Sequence, residues 1–112
     1  MIQETNNAPQ RLAELRGFSE TLLIHAMCQD ESEVVRHEAA FLLGDIQSTG
    51  ALEALISASH DPSILVCHEV ALALANFRCA RSVVELVRLA ADPSPDVSRS
   101  AVHALVEMVT IK

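Results

Sequence analysis

The sequence predicts an all-α protein, a right-handed α-solenoid of three helical hairpins preceded by an N-terminal cap helix. Three observations predict this fold class. Half of the 112 residues are apolar, Trp and Tyr are absent and Phe occurs three times, a composition typical of packed helices. Three Gly and four Pro are too few for a turn-rich β protein. The chain also repeats every 31 residues, which is the length of a helical hairpin.

The period becomes visible when the sequence is written in rows of 31 residues, and positions 31 residues apart are called a column below. Five columns agree in all three rows: Asp30, Asp61 and Asp92; Val35, Val66 and Val97; Ala40, Ala71 and Val102; Leu43, Leu74 and Leu105; and Ile46, Phe77 and Met108. The apolar columns follow helical spacing on the second helix of each hairpin. We therefore expect the core to be built from the columns of Val35, Ala39, Leu42, Leu43 and Ile46.

The elements can be predicted in chain order. Residues 1–8 are expected to be disordered, and residues 9–112 to form a single domain whose first segment, residues 9–17, caps the apolar end of the solenoid. The first helices of the hairpins are expected at residues 18–29, 51–60 and 80–91. Each second helix is expected to begin at an N-cap Asp, with Pro at its first position where the sequence provides one and with a capping box in the first hairpin. The N-cap residues are Asp30, Asp61 and Asp92, the prolines at the first helical position are Pro62 and Pro93, and the capping box is formed by Asp30 and Glu33.

Two His-Glu dipeptides are the candidate functional residues. His37-Glu38 and His68-Glu69 share two columns, on the side of the second helix away from the apolar stripe. Second helices of a solenoid lie side by side about 8–10 Å apart, so the two pairs are expected to be neighbours. A single pair of this kind is usually just solvated, and duplication would also copy it. Because the adjacent surface columns have diverged, we favour a functional interpretation.

The third row departs from this pattern. Arg99 and Ser100 stand where His and Glu would be, so one chain has only two pairs. His103 lies one turn past Arg99 and is a weaker candidate, either for contact with a substrate or for support of a ligand. The other histidines, His25 and His60, belong to first helices and are expected to be surface or partly buried residues. A further framework residue, Arg36, is expected to form an ion pair between repeats.

Composition and charge exclude several functions. The net charge is −7, and the eight Lys and Arg form no run, which argues against nucleic acid as a partner. No apolar run approaches the ~20 residues of a membrane span, and a signal peptide is not recognised, so a cytoplasmic location is expected. The odd number of cysteines, without a Cys-x-x-Cys pair, favours neither disulfides nor a thiolate zinc site. We expect all three to be core or half-buried residues: Cys28, Cys67 and Cys79.

The unit that runs from Asp30 through Val35-Arg36 to Leu43-Gly44 resembles the short HEAT repeats of phycobilin lyase subunits and of deoxyhypusine hydroxylase. The His-Glu pairs narrow the resemblance to one half of deoxyhypusine hydroxylase, over residues 18–108. In that family each half brings two such pairs to a di-iron centre that activates dioxygen. The resemblance therefore implies four iron ligands in this chain: His37, Glu38, His68 and Glu69.

Imidazole and carboxylate ligands suit Fe(II), and an exposed solenoid face leaves positions open for dioxygen and substrate. The resemblance implies a di-iron monooxygenase-like protein that hydroxylates an amine-bearing side chain, and a cationic protein or amine substrate would suit an acidic groove. Because one chain has half of the ligands, a homodimer meeting groove to groove, with two iron ions per dimer, would complete the centre. The alternatives are a mononuclear or vestigial site, or a non-catalytic HEAT scaffold for protein–protein interaction or chromophore attachment. The choice between iron and manganese stays open.

Overall fold

A computed structural model of the chain describes residues 7–110. These residues form seven α-helices and no strand, which confirms the all-α prediction: α1 (Ala8–Glu14), α2 (Glu20–Gln29), α3 (Glu33–Ile46), α4 (Thr49–Ser57), α5 (Ile64–Phe77), α6 (Ala80–Ala90) and α7 (Pro95–Thr110), with a 3₁₀ turn at Leu15–Gly17 between α1 and α2. Residues 1–6, predicted to be disordered, lie outside the described part. Asn7 and Ala8 were included in that prediction, but Asn7 caps α1 by accepting a hydrogen bond from the Gln10 N–H.

The longer helices α3, α5 and α7 lie side by side, and α5 packs against both of its neighbours. Helix α2 packs on α3 and α6 packs on α7, while α4 contacts both α3 and α5. Helix α1 lies against the free side of α3, as predicted for the cap helix. The resulting body is elongated, with extents of 48 × 27 × 21 Å. This arrangement agrees with an α-helical solenoid. Within residues 7–110, no helix is both long and apolar enough to cross a bilayer.

The core follows most of the predicted apolar columns. The first column is buried in all three helices, at Val35, Val66 and Val97, and so is the column of Ala39, Val70 and Ala101. Ile46 is an exception, because it is the last residue of α3 and is 41% exposed. Cys67 is buried and Cys79 half-buried as predicted, but Cys28, in the last turn of α2, is exposed. The period therefore predicts the middle of each helix better than its ends.

The helix N-caps differ from the prediction. Ser32 and Ser63 cap α3 and α5 by accepting hydrogen bonds from the N–H of the residue three positions later, and Ser94 immediately precedes α7. The three aspartates lie two residues upstream, where each carboxylate accepts a 2.9 Å hydrogen bond from the backbone N–H of the serine. The predicted capping box is also absent, since Glu33 contacts the Ser63 hydroxyl instead. The N-cap assignment to aspartate was wrong because an Asp that closes a turn and an Asp that caps a helix precede it in the same way.

These aspartates join successive parts of the solenoid. Arg11 of α1 donates to Asp30 at 2.9 and 3.1 Å. Arg36 of α3 makes the same two-pronged contact with Asp61, at 2.9 and 3.2 Å, and this confirms the predicted ion pair between repeats. A two-pronged guanidinium–carboxylate contact fixes both distance and orientation. The turns before α3 and α5 are thus each held by a guanidinium from an earlier element, and the two helices that bear the His-Glu pairs are held in register.

Candidate functional site

The candidate site lies where α3 and α5 run side by side. His37 and Glu38 follow the first turn of α3, and His68 and Glu69 occupy the same level of α5, because both helices have 14 residues and begin at the same point of the repeat. The helix register therefore places the two dipeptides at the same level of neighbouring helices.

Two of these side chains meet across the helices. His37 Nε2 lies 3.0 Å from Glu69 Oε1, which is hydrogen-bond distance. The His37 side chain is 29% exposed and that of Glu69 is 16% exposed. The carboxylate therefore has little contact with solvent, and its partner across the helices is an imidazole rather than a guanidinium or an ammonium group.

The environment of Glu69 favours its neutral form. Burial raises the pKa of this carboxyl, the nearby His37 opposes the rise through its charge and its hydrogen bond, and the Glu38 carboxylate adds to the rise. Burial dominates, so the pKa of Glu69 lies above the usual value for glutamate. A carboxyl with a raised pKa in a partly open surface site is a recognised mark of a functional position.

Glu38 has a different partner. Its Oε2 lies 3.6 Å from Nη2 of Arg16, a mostly exposed residue in the 3₁₀ turn that follows α1. This contact draws Glu38 toward the N-terminal end of the solenoid and away from His68. Arg16 was not predicted to contact the site, because the position of a 3₁₀ turn between two helices does not follow from the 31-residue repeat.

His68 faces the opposite neighbour, α7. Its ring centre lies 4.9 Å from that of His103, and the two ring planes are tilted by 41°. Burial lowers the pKa of His68, and the nearby imidazoles of His103 and His37 lower it further. The uncharged imidazole is thus favoured, and its nitrogen lone pair is free to accept a hydrogen bond or bind a metal ion.

An apolar groove adjoins this histidine pair. It has a volume of about 660 Å³ and is lined by His68 and His103, by three aliphatic side chains, and by the polar residues Asp96, Ser98, Arg99 and Ser100. The three aliphatic residues of its wall, Ile64, Val102 and Val106, are each about half exposed. The groove is therefore an open, largely hydrophobic surface with two imidazoles at its edge.

Comparison with known families decides the class of protein. A family model described as HEAT repeats matches residues 20–108, which is most of the chain. The chain belongs to the HEAT-repeat family. No curated protein matches it significantly. The match supports a helical repeat scaffold. Any ligand has to be inferred from the side chains of the site.

Helix α7 has other residues in the columns of the His-Glu pairs. Arg99 is exposed and lies 4.0 Å from Asp96 one turn earlier on α7. Ser100 is buried and lies close to the Cys67 thiol of α5, which donates a 3.6 Å hydrogen bond to the backbone carbonyl oxygen of Ser59. The column of Glu38, Glu69 and Ser100 is therefore not a purely exposed one, since it faces the space between neighbouring helices. This corrects the expectation that the column lies wholly on the outer face.

The donor chemistry of the HEAT-repeat face fits a transition metal, because imidazole nitrogens and carboxylate oxygens are ligands that iron, zinc and manganese accept. The four predicted ligands are nevertheless divided in one chain: His37 meets Glu69, Glu38 meets Arg16, and His68 meets His103. Among residues 7–110, no three His, Cys, Asp or Glu side chains converge as a set that could hold an ion. None of these pairs is by itself a complete coordination sphere. The remaining histidines are elsewhere, since His25 is exposed on α2 and His60 contacts Asp92.

Proposed function

We propose that this HEAT-repeat protein binds iron on the face formed by α3 and α5, and that a second copy of the chain completes the centre. The contact between His37 and Glu69, at 3.0 Å across two helices, is the observation that supports this proposal most directly. A framework that fixes one imidazole and one carboxylate side by side reduces the ordering that metal binding would otherwise require. His37, Glu38, His68 and Glu69 are the proposed ligands.

The burial of Glu69 gives a physical reason for a metal ion at this position. Removing a carboxylate from water is unfavourable unless a positive charge or several hydrogen bonds compensate. Here the partner is the imidazole of His37 rather than a guanidinium or an ammonium group. A divalent cation next to Glu69 would supply the missing charge, and it would convert a carboxyl that is unfavourable for folding into a favourable ligand.

A two-fold homodimer would supply the missing donors. Each chain offers two imidazoles and two carboxylates, so two chains meeting groove to groove would surround the axis with eight donors. This number matches two iron ions per dimer. The frame we propose for it is a right-handed solenoid of three HEAT-like hairpins plus the α1 cap, in which α3 and α5 both present their ligands to the partner.

The chemistry that we propose is hydroxylation. Iron bound by nitrogen and oxygen ligands with open positions activates dioxygen when a reductant is supplied. In this chain His37 and Glu69 would hold the ion and Glu38 would add a second carboxylate. The apolar wall beside His68 would shelter a substrate from water, and the net charge of −7 would attract a cationic protein or an amine.

A second candidate function is a non-catalytic scaffold for protein–protein interaction, or for assistance in chromophore attachment. The observation that favours it is the groove beside His103, whose wall exposes Ile64, Val102 and Val106. Exposed apolar side chains of this kind commonly mark contact surfaces. HEAT-repeat solenoids present extended surfaces of this type without any metal.

Metal analysis together with molar mass separates the two functions. Protein produced with added iron should contain about one iron per chain and behave as a dimer in light scattering, as expected for the shared centre. His37→Ala and Glu69→Gln should each lose the iron while the helical circular dichroism stays unchanged. The matched control is His25→Ala, an exposed histidine of α2 far from the face, which should keep the iron. Iron-free monomers would favour the scaffold, and an iron-loaded monomer would contradict the shared centre.

A further inference from the structure

Helix α7 has a histidine at the site although it lacks a His-Glu pair. His103 belongs to the column of Phe41 and Leu72, one turn further along the helix than the ligand columns. Because α7 lies beside α5, this extra turn places the His103 ring at a centre-to-centre distance of 4.9 Å from His68. Two imidazoles from neighbouring helices thus meet at the edge of the groove.

The geometry of this pair fits binding of one ion. Two imidazoles that bind the same ion through nitrogens about 2.1 Å away have ring centres roughly 5 Å apart. Such rings are usually inclined to one another, and the observed tilt is 41°. The separation would therefore need little change when an ion binds, and each ring could be adjusted by rotation about its own side-chain bonds.

The surroundings of the pair also suit a metal ion. Glu107 lies one turn beyond His103, with its Oε2 3.8 Å from the His103 Nε2, so a carboxylate lies near the pair although these two atoms are beyond hydrogen-bond distance. The nearest arginine on the groove wall, Arg99, lies 4.0 Å from Asp96, which offsets its charge.

We propose that His68 and His103 together bind one divalent transition-metal ion, so that His103 is a fifth metal ligand and α7 takes part in the site. The proposal rests on the metal-binding function given above, and it extends the ligand set from two helices to three. It also shifts the donor set of each chain toward imidazole, which suits Co(II), Ni(II), Zn(II) and Fe(II).

Titration with Co(II), followed by visible absorption and calorimetry, tests this role of His103. The wild-type chain should bind Co(II), and both His103→Ala and His103→Gln should weaken binding at least tenfold, as should His68→Ala. The His25→Ala control should bind like the wild type. Circular dichroism checks folding, and His103 is a favourable position for substitution because its side chain is half exposed.

Glu69→Gln and His37→Ala distinguish this inference from the function on which it rests. If they weaken Co(II) binding and the His103 variants do not, the fifth ligand is refuted and the His-Glu centre stands. If the His68 and His103 variants weaken binding while Glu69→Gln and His37→Ala do not, the imidazole pair stands and the His-Glu centre is refuted. A wild-type chain that binds no Co(II) would refute both.

Discussion

The junction between α3 and α5 and the junction between α5 and α7 are the same architecture one period apart, but they are held together differently. In the first junction Arg36 makes a two-pronged contact with Asp61, and the Arg36 side chain is only 15% exposed. In the second junction Cys67 occupies the column of Arg36, and Asp92 is bound instead by His60, whose side chain is 58% exposed. The first junction therefore contains a largely buried guanidinium–carboxylate pair, and the second a more exposed imidazole–carboxylate contact.

The outer surfaces of the two junctions also differ, in the types of side chain that meet there. The first brings together an imidazole and a carboxylate, His37 and Glu69, whereas the second brings together two imidazoles, His68 and His103. The buried columns of valine and leucine are shared by both. A repeat thus fixes where side chains meet, while the residues at each meeting point determine its chemistry independently. Each junction can therefore be tested by substitutions that leave the other unchanged.

The largest effect should come from removing the buried guanidinium. Arg36→Met keeps much of the aliphatic packing but leaves the mostly buried Asp61 without its cation, so unfolding free energy should fall by about 2–4 kcal/mol. Urea denaturation at pH 7 measures this. The matched variant in the second junction is His60→Ala, which should behave like an ordinary surface substitution. Equal losses in the two variants would show that the junctions do not differ in strength.

The sequence predicted the shared part of the junctions well. The 31-residue columns located the helices and the buried valines, because burial on one face imposes a strict helical spacing. The N-caps were missed, although Ser32, Ser63 and Ser94 form a column as regular as that of the aspartates. Both residue types close turns and cap helices, so propensity alone does not assign the two roles.

Of the contacts at the candidate site, the sequence predicted those that follow from the 31-residue period and missed those that depend on the local path of the chain. The meeting of His37 with Glu69 follows from the period, since the two residues lie on adjacent helices at nearly the same level. The choice of partner by Glu38 does not follow, because a flexible carboxylate selects among nearby cations according to the exact path of the chain at Arg16. The His68–His103 pair was not predicted, because the two residues lie in different columns and the repeat relates only residues of the same column.

A second, smaller difference between the junctions is their closeness of approach at Gly44. A Cβ added there would lie 2.9 Å from the Ala73 Cβ and 3.2 Å from the Ala73 Cα, whereas the next row has Ala75 in the same column. Gly44→Ala should force α3 away from α5 and lower unfolding free energy by about 1–2 kcal/mol, because overpacking outweighs the better helix propensity of alanine. Gly17→Ala is the control, with nothing within 4 Å of the added carbon. A stabilising Gly44→Ala would show that the first junction is not closer than the second.

The smallest effect should come from the carboxyl of Glu69, and its sign is the informative part. Burial raises the pKa of Glu69, so its contribution to stability is present below the ordinary glutamate pKa and is lost as pH rises through the raised one. Glu69→Gln keeps an oxygen acceptor for the His37 N–H and removes the charge. With a chelator present to exclude metal effects, the variant should therefore equal the wild type near pH 4 and exceed it at pH 7, by about 1 kcal/mol or less.

Glu38→Gln is the matched control, because Glu38 lies on α3 in the same column as Glu69 but contacts Arg16. It should show no such gain at pH 7, because its substitution removes a favourable contact with a cation. If Glu69→Gln were instead less stable than the wild type at pH 7, the carboxylate would be a structural partner of His37 rather than a group held at a cost in stability. The contact between His37 and Glu69 would then stabilise the fold without a metal ion, and the burial of Glu69 would no longer be a reason to place a metal ion beside it.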